Sequence, residues 1–275
     1  MKMDNDKFWN EQAKYGYDVK AVNFDPIKEE LELEELKKLI HDTTETILDI
    51  GCGNGHTIIE LALYFPHKLF YGIDKSNAMI DVAKQKKEEL SLGNVYFFVG
   101  DATDNKWSNF FKFHFDIVIC KRLFINVFNN HKEIFSNVFN LLEPDGVFLV
   151  LECFIEPLQR VNKVRKLFGL KKITVHSFNK YLVNDVFFQD AKQFFDIVDV
   201  VDFLSFYYFV SRVFNAHLSN GEPDYHSKIN MCCRKLILNG VNPIVGYCPE
   251  YLICMRKKEL DFLGSYDGLN VLFNI

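Results

Sequence analysis

The sequence predicts an α/β protein in which a mostly parallel sheet is covered by helices on both faces. Short apolar runs rich in β-branched and aromatic residues alternate with segments of helical periodicity, the pattern of repeated strand–helix–strand units. The runs are apolar throughout, which indicates strands that are buried on both faces. With 275 residues, 48% of them hydrophobic, the chain is long enough for one domain with its own core.

Seven strands are expected, five of them in the first half of the chain. Residues 7–41 precede them with helical spacing, and residues 154–183 and 205–249 are irregular stretches that separate the later elements. The predicted strands are Thr46–Ile50, Leu69–Asp74, Val95–Asp101, Phe115–Lys121, Gly146–Cys153, Ile197–Leu204 and Glu250–Lys258.

Composition excludes several classes of protein. The formal net charge of −5 lowers the expectation of a nucleic-acid partner. The polar N-terminus lacks the apolar stretch of a signal peptide, and no run of about 20 apolar residues occurs, so a cytoplasmic protein without a membrane partner is expected. The seven cysteines are scattered without a CxxC pair, which predicts buried thiols and neither disulfides nor a zinc site.

A glycine-rich loop, Asp49 to Gly55, follows the first strand and opens a helix. Glycines let the backbone pass close to a ligand, and the helix beyond them offers free N–H groups. The dinucleotide fingerprint is G-x-G-x-x-G, whereas this loop reads G-x-G-x-G with an acid two residues before it. A carboxylate there repels pyrophosphate and attracts an ammonium group. The loop therefore favours a ligand with a cationic end, with a bare strand-to-helix turn as the alternative.

Two more acids end the next two strands. Asp74 lies just over 20 residues beyond the glycines, where a carboxylate can accept both hydroxyls of a ribose. Asp101 can accept a hydrogen bond from an adenine amino group, and Ala102 offers its N–H to the ring. The alternatives are a helix cap for Asp74, although Ser76 already fills that role, and a surface turn for Asp101. Three acids at successive strand ends predict a nucleoside site at the carboxyl edge of the sheet.

The segments LDIGCGNG, YGID, GDAT, FDIVIC and LLEPDG occur in this order over residues 45–153. In sequence and spacing they resemble a class I methyltransferase that uses S-adenosylmethionine (SAM). The resemblance implies a Rossmann-like three-layer sandwich with a seven-stranded, mostly parallel sheet whose last strand is antiparallel. It further implies one domain, 1–275, with an N-terminal helical lid (1–44), a SAM-binding core (45–153) and helical substrate-cap insertions after the fifth and sixth strands (154–183 and 205–249).

The resemblance also implies a set of cofactor-binding residues. Asp49, Gly51 and Gly53 would meet the amino-acid end of SAM, and the backbone near Cys120 would lie beside its methionine portion. FWNEQAKYG resembles a lid helix in which Phe8, Trp9 and Tyr15 close over the cofactor, with ordinary helix packing as the alternative. The full set is Asp49, Gly51, Cys52, Gly53, Asp74, Lys75, Asp101, Ala102, Cys120 and Tyr15.

The segments from Glu152 onward resemble a subgroup of these methyltransferases that is often found with genes for surface sugars and other small metabolites, and in which the two insertions cap the acceptor pocket. We therefore expect O-methylation of a small-molecule sugar or nucleotide-linked sugar. The place after the fourth strand reads CKRLFIN and lacks the Asn/Asp-Pro-Pro-aromatic run of many nucleobase methyltransferases. Metal-assisted catechol-type enzymes need clustered acids after the fourth and fifth strands, whereas only Glu152 is near, so no metal is expected.

Six residues are candidates on the acceptor side. His176 would be the general base, because its intrinsic pKa is near neutrality, and Glu152 would orient an acceptor hydroxyl or anchor the lid. Arg122 would contact an anionic group, and Tyr207, Tyr208 and Arg212 would lie on one helix in the substrate site. The alternatives are an exposed loop histidine for His176 and a buried structural pair for Arg212.

Rival functions remain open at this point. An RNA or protein methyltransferase would share the SAM site, and a non-catalytic SAM-binding protein would keep Asp49 and Asp74. A dehydrogenase is disfavoured by the glycine spacing. A monomer or a homodimer is expected.

Overall fold

A computed structural model of the chain describes residues 5–18, 21, 24–127, 130–177 and 179–259. Its seven strands form one sheet in the order β3-β2-β1-β4-β5-β7-β6. The first five strands are parallel, and β7 runs antiparallel to both β5 and β6, as the sequence predicts. The strands are β1 Thr46–Ile50, β2 Leu69–Asp74, β3 Val95–Val99, β4 Phe115–Lys121, β5 Leu142–Cys153, β6 Phe195–Val201 and β7 Glu250–Lys257.

Helices cover both faces of this sheet. A π-helix, Val210–Asn215, joins α9 to α10, and short 3₁₀ helices follow α1 and β4. None of the helices that the structure describes is long and apolar enough to cross a membrane. The α-helices are α1 Asn5–Gln12, α2 Pro26–Leu39, α3 His56–Tyr64, α4 Asn77–Glu89, α5 Trp107–Phe110, α6 His131–Leu141, α7 Ile155–Leu167, α8 Asn184–Ala191, α9 Ser205–Phe209, α10 Ala216–Leu218 and α11 Lys228–Leu238.

The central strands are buried on both faces, which explains their continuous apolar sequence. Successive residues point to opposite sides of a strand. In β1, Ile47 packs into the core on one face and Leu48 into the core on the other. In β4, Ile119 and Val118 are divided in the same way. The sheet is therefore the middle layer of a three-layer sandwich, as predicted.

Two side chains fix the beginnings of helices that border the site. The Asp25 carboxylate accepts from the Lys28 N–H at the start of α2, and proline at position 26 suits the first helical turn. The Ser76 hydroxyl accepts from the Met79 N–H at the start of α4, which confirms its predicted capping role. Each cap satisfies a helix N–H group that has no partner within the helix.

Some boundaries differ from the sequence-based expectation. β5 begins at Leu142 instead of Gly146, because Leu142 pairs with Phe115 and the register then shifts to accommodate the EPDG turn. β6 runs from Phe195 to Val201 instead of Ile197 to Leu204, and its earlier start comes from the pairing of Phe195 with Lys257. The stretch 154–183, irregular in its sequence pattern and expected to be a helical insertion, opens with the helix α7 and returns to the sheet through a bridge between Phe154 and Leu182. Non-local pairing decided these boundaries, and such pairing is not visible in a local pattern.

Candidate functional site

A cavity of about 410 Å³ lies at the carboxyl ends of β1, β2, β3 and β4. This edge of an open parallel sheet is where ligands bind in α/β proteins, and the volume is typical of a small-molecule site. Nine of the site residues expected from the sequence line it: Asp49, Gly51, Cys52, Gly53, Asp74, Lys75, Asp101, Ala102 and Arg122.

The glycine loop is tied to β2 by backbone hydrogen bonds. The N–H groups of Gly51 and Cys52 both donate to the Ile73 carbonyl, at 2.7 and 3.0 Å. Gly51 has a φ of +74°, a conformation that favours glycine, and a Cβ there would lie 3.1 Å from the Leu123 side chain. The loop thus holds its backbone against the cavity in a conformation that a residue other than glycine could adopt at position 51 only with strain.

Asp49 is the most unusual group in the cavity. Its side chain is buried, and Oδ1 has no hydrogen-bond partner among the described residues. Burial raises the pKa of this carboxyl to about 8, aided by the negative charges of Asp74 and Glu29 and opposed by the positive charge of Lys121. A buried polar atom without a partner is costly, so this geometry calls for a donor from a ligand. An ammonium group supplies such a donor together with the opposite charge.

The Asp74 carboxylate at the end of β2 accepts from the N–H groups of Gly53 and Ser76, both at 2.8 Å. Burial raises its pKa, and these two hydrogen bonds oppose that rise. A carboxylate has about four acceptor positions, so two remain for ligand hydroxyls. The position fits the predicted ribose contact.

Asp101 accepts from the N–H and hydroxyl of Thr103, at 2.9 and 2.7 Å, and pairs with Lys75 at 3.5 Å. Beneath it lies Trp107, which the sequence analysis did not identify. The indole N–H donates to the Asp101 carbonyl at 2.9 Å, and a Cβ on Gly100 would come 1.8 Å from the Trp107 ring. Gly100 before Asp101 was the available signal, because a glycine at a strand end indicates close packing.

The N-terminal helix α1 borders the cavity and is held there by polar contacts. Asp6, Trp9 and Asn10 line the cavity. The Trp9 indole donates to Asn126 at 3.3 Å, the Ser76 hydroxyl donates to Asn10 at 2.6 Å, and Asp6 pairs with Lys75 at 3.1 Å. The helix therefore borders the cavity, and its role as a lid stays a prediction.

Tyr15, also expected at the lid, is 40% exposed and does not line the cavity, and Phe8 packs edge-to-face on Trp9. Asn54, a residue that sequence reasoning missed, is fully buried and donates to the carbonyl of Gly16 at 3.0 Å. The glycine loop therefore also anchors the segment that follows α1.

A buried network of charged residues contributes Glu29, Lys121 and Arg122 to another wall of the cavity. It joins three cations to three carboxyl groups across α2, the end of β4 and the start of β7. Its members are Lys28, Glu29, Glu32, Lys121, Arg122 and Glu250.

The contacts within this network are short. Lys121 pairs with Glu29 and with Glu32, the latter at 2.9 Å, and its third donor reaches the Thr57 hydroxyl. Arg122 pairs with Glu29 at 3.1 Å, with Glu32 at 2.9 Å and with Glu250 at 3.0 Å. Arg122 also has a φ of +53°, a conformation that a side chain adopts at a cost and that its surroundings must enforce. An anion that binds Arg122, as the sequence analysis expects, would have to compete with these three carboxyl groups for the guanidinium.

Cys120 and Glu152 lie behind the cavity wall. Cys120 is fully buried and does not line the cavity. The buried Glu152 carboxyl accepts from the N–H groups of Phe124, at 2.5 Å, and Cys153, at 3.3 Å, and burial raises its pKa to about 8. Because Phe124 follows the cavity-lining Leu123, this contact places Glu152 as a support of the loop after β4.

The other expected acceptor residues lie away from the cavity. The Tyr207 hydroxyl and the Arg212 guanidinium both donate to the Asp25 carboxylate, each at 2.8 Å, and Arg212 stacks over Tyr208 at 4.9 Å. His176 is exposed in the segment between α7 and α8. None of these four side chains lines the described cavity, so their roles in the substrate site and in catalysis stay predictions without geometric support.

Comparisons with known proteins agree with this geometry. Residues 41–198, more than half of the chain, match the family of methyltransferase domains, and the chain therefore belongs to that family. Solved structures of similar fold include geranyl diphosphate C-methyltransferase from Streptomyces coelicolor A3(2), with a TM-score of 0.55 and 14% identity over 84% of this chain and 79% of that one. The PH0226 protein of Pyrococcus horikoshii OT3 has a TM-score of 0.53 and 19% identity over 86% of this chain and 93% of that one.

Relatives by sequence differ in what they methylate. The ribosomal RNA small subunit methyltransferase G of Petrotoga mobilis is 36% identical over 29% of this chain and 35% of its own length. The tRNA (guanine-N(7)-)-methyltransferase of Mycoplasmopsis pulmonis is 34% identical over 32% of this chain and 45% of its own length. The malonyl-[acyl-carrier protein] O-methyltransferase of Bacillus anthracis is 27% identical over 48% of this chain and 49% of its own length. The chain thus spans less than half the length of these relatives.

The site residues fit SAM. The partnerless Asp49 oxygen suits the amino-acid ammonium, Asp74 has acceptor positions left for the ribose, and the Asp101 region provides the surface for an adenine. Within the described ranges, no group of three or more His, Cys, Asp or Glu side chains is arranged to hold a metal ion.

Proposed function

We propose that the protein transfers a methyl group from SAM to a hydroxyl group of a small molecule, with sugars and nucleotide-linked sugars as the favoured acceptors. Bound SAM supplies an electrophilic methyl group on a positively charged sulfur. The protein contributes alignment of the two reactants, which is a large part of the rate enhancement of such transfers. The resemblance to small-molecule methyltransferases and the shape of the site both support this proposal.

The observation that carries the proposal is the pairing of every cation that lines the described cavity. Lys75 pairs with Asp6 and Asp101, while Lys121 and Arg122 pair with glutamates. A protein that grips RNA neutralises several phosphates with available Lys and Arg side chains. This wall offers balanced charge instead, which suits a small and largely uncharged acceptor.

The contacts of Arg212 rank the two favoured acceptors. A nucleotide-linked sugar carries phosphates that need cationic partners. Arg212, the residue expected to bind such a phosphate, donates to Asp25 and stacks over Tyr208. The free sugar is therefore favoured over the nucleotide-linked one.

The acceptor would approach the wall that Trp9, Leu123, Asn126, Val127 and Asn130 form beside α1. This wall mixes apolar surface with amide groups, so it can contact a ring and bind hydroxyls. In this proposal Glu152 acts as a positioning residue, because it accepts from the Phe124 N–H and so supports the loop that carries the wall.

Methylation of RNA is the second candidate, since relatives that match parts of this chain act on ribosomal RNA and tRNA. Transfer of label from methyl-labelled SAM separates the two. The purified protein would be given free sugars, nucleotide-linked sugars and total RNA in parallel at limiting SAM, with Asp49→Asn as the control with weakened cofactor binding. The proposal expects label in the sugar fractions, and label in RNA would contradict it.

A further inference from the structure

The segment from residue 157 to residue 184 carries seven Lys and Arg residues and no Asp or Glu, although the whole chain has a formal net charge of −5. It includes most of α7 and the loop that leads to α8. The buried side of α7 packs into the core through Leu158 and Val161. None of the described residues of this segment lines the cavity, so the cofactor and acceptor sites do not account for its charge.

The exposed side of α7 joins cations to an apolar residue. Positions 160, 163 and 167 are spaced three and four apart, so they lie on one face of the helix. Arg160 and Lys163 are exposed on this face, Lys166 is exposed beside them, and Leu167 is 83% exposed. The helix thus presents a basic face that ends in an aliphatic side chain.

The chain that follows α7 is held against the helix by hydrogen bonds. Asn162 donates to the Ile173 carbonyl at 2.9 Å and accepts from the Ile173 N–H at 2.8 Å. The Arg165 guanidinium donates to the Lys171 carbonyl at 2.8 Å. The exposed side chains of Lys171 and Lys172 are therefore fixed beside α7. Together with the cations of the helix they form a basic patch, whose members are Arg160, Lys163, Lys166, Lys171 and Lys172.

The cations of the basic patch differ from those of the cavity wall. In the described part of the chain, none of the five pairs with an Asp or Glu side chain, whereas Lys75, Lys121 and Arg122 all do. A group of cations without carboxylate partners attracts an anionic surface. A symmetric contact with a second copy of the chain would bring these like charges together, which disfavours that occupant.

Apolar side chains border the basic patch and discriminate between anionic partners. Phe168 follows Leu167 and packs edge-to-face on Phe214, which is itself 39% exposed, with ring centroids 5.6 Å apart. Phe168 also contacts the ring of His217 at 5.5 Å, and the next residue, Leu218, is 75% exposed. Exposed leucines gain free energy by leaving water for the acyl region of a lipid surface. A single-stranded nucleic acid instead stacks its bases on aromatic rings.

We propose that the basic patch, with Leu167 and Leu218, docks the protein on the surface of an anionic lipid membrane. The cations meet the lipid phosphates, and the leucines enter the boundary between headgroups and acyl chains. Such a contact needs no spanning helix. The sequence-based expectation of no membrane partner rested on the lack of a signal peptide and of a spanning segment, and neither bears on a surface contact. The inference does not rest on the acceptor proposed above.

Cosedimentation with lipid vesicles tests this docking. The purified protein is mixed with vesicles of phosphatidylcholine alone and with vesicles of equal parts phosphatidylcholine and phosphatidylglycerol. Binding is expected only to the second kind, and added salt should weaken it by screening the attraction. Lys171→Gln with Lys172→Gln should lower the partition coefficient about 30-fold, because two charges near the anionic surface are lost. Leu167→Gln should lower it about tenfold, because an apolar side chain no longer enters the lipid.

Matched controls change exposed residues outside the basic patch. Lys84→Gln with Lys192→Gln removes the same charge from α4 and the end of α8, and Val186→Gln replaces an apolar residue of α8 that is 57% exposed. Both controls should bind vesicles as the unmodified protein does. The Kd of S-adenosylhomocysteine should be the same in every variant, because none of the changed residues lines the described cavity.

Three results would overturn the docking role of the basic patch. One is no binding to either kind of vesicle, and another is equal weakening by the patch variants and by their controls. Total RNA, tested in parallel by filter binding, gives the third. RNA binding that the double lysine variant weakens and Leu167→Gln leaves unchanged, without vesicle binding, would assign the patch to nucleic-acid phosphates instead.

Discussion

Two buried aspartates of this protein, Asp25 and Asp49, differ in their hydrogen bonds. Asp25 is 1% exposed, and its carboxylate accepts from the Lys28 N–H, the Tyr207 hydroxyl and the Arg212 guanidinium. Asp49 is 2% exposed, and its Oδ1 has no partner in the described part of the chain. The two side chains are buried to nearly the same degree. They differ in whether the carboxylate oxygens have hydrogen-bond donors.

This difference predicts a structural role for Asp25 and a binding role for Asp49. A buried carboxylate with its full set of donors stabilises the fold around it. One that lacks a donor costs stability until a ligand provides it. The Asp25 cluster joins α2 to the segment around α9, whereas Asp49 faces the cavity.

The largest effect is expected from Asp25→Ala. Removal of this carboxylate leaves the buried Arg212 guanidinium without its ion-pair partner, which should lower the free energy of unfolding by about 3 kcal/mol. Urea denaturation measures this loss. The Kd of S-adenosylhomocysteine should stay unchanged under conditions where the variant is folded. A loss below about 1 kcal/mol would show that the cluster is not structural.

Asp49→Asn should give the reverse pattern. The affinity for S-adenosylhomocysteine should fall about 30-fold, because the ligand's ammonium loses a charged acceptor. The free energy of unfolding at pH 7 should change by less than about 1 kcal/mol, since Asp49 with a pKa of about 8 is mostly neutral there and Asn has a similar shape. Calorimetry and urea denaturation of the same preparation measure both. A large stability loss with intact binding would remove Asp49 from the cofactor site.

The affinity for S-adenosylhomocysteine should also depend on pH through Asp49. Its pKa of about 8 in the free protein, set by burial with Lys121 and Arg122 in opposition and Asp74 and Glu29 in support, means that the group must lose a proton to bind an ammonium. The Kd should therefore fall about tenfold from pH 6 to pH 7 and level off above pH 8. Calorimetry across this range measures the profile.

Asp49→Asn should flatten that profile, and a flat profile in the unmodified protein would contradict the assignment. The raised pKa of Asp49 also affects the stability of the fold, because the carboxyl holds its proton more tightly in the folded protein than in the unfolded chain. The contribution of Asp49 to stability is therefore greatest below pH 3.8 and is lost as the pH rises towards 8.

The smallest effect is expected from Tyr207→Phe. This change removes one of the donors to Asp25 and leaves the ion pair with Arg212, so the free energy of unfolding should fall by about 1 kcal/mol. Urea denaturation checks the value. Tyr207 was first expected in the substrate site, and a marked change in methyl transfer with unchanged stability would return it there.

The fold was predictable because its signals are local. Continuous apolar strands, glycines at strand ends and the Ser76 cap each follow from a few neighbouring residues. The seven-stranded arrangement with an antiparallel last strand was implied by the family resemblance, and the structure gives its order. The boundaries of β5 and β6 were less predictable, because pairing with Phe115 and Lys257 extends these strands beyond their apolar runs.

The cofactor side of the site was also largely visible. Asp49, Asp74 and Asp101 each end a strand, and parallel strands bring their carboxyl ends to one edge of the sheet. His56, which lines the cavity, was overlooked, although its place at the first position of a helix after the glycine loop was a usable signal.

The pairing of the buried charges was not visible, because these contacts join residues far apart in the chain. Lys121 and Arg122 meet Glu29 and Glu32 across about 90 positions, and Arg212 meets Asp25 across 187. A sequence pattern shows that such residues carry charge but does not show which partner neutralises it.

The sequence by itself determined the sheet, the edge that binds the ligand and the acids that face it, because strand alternation and strand ends are properties of short segments. Only the tertiary structure decided which buried charged groups have hydrogen-bond or ion-pair partners. It showed that Asp25 holds Arg212 and Tyr207 away from the cavity, while Asp49 and His56 each keep one polar atom without a partner. The physical reason is that satisfaction of a buried group depends on what folds against it.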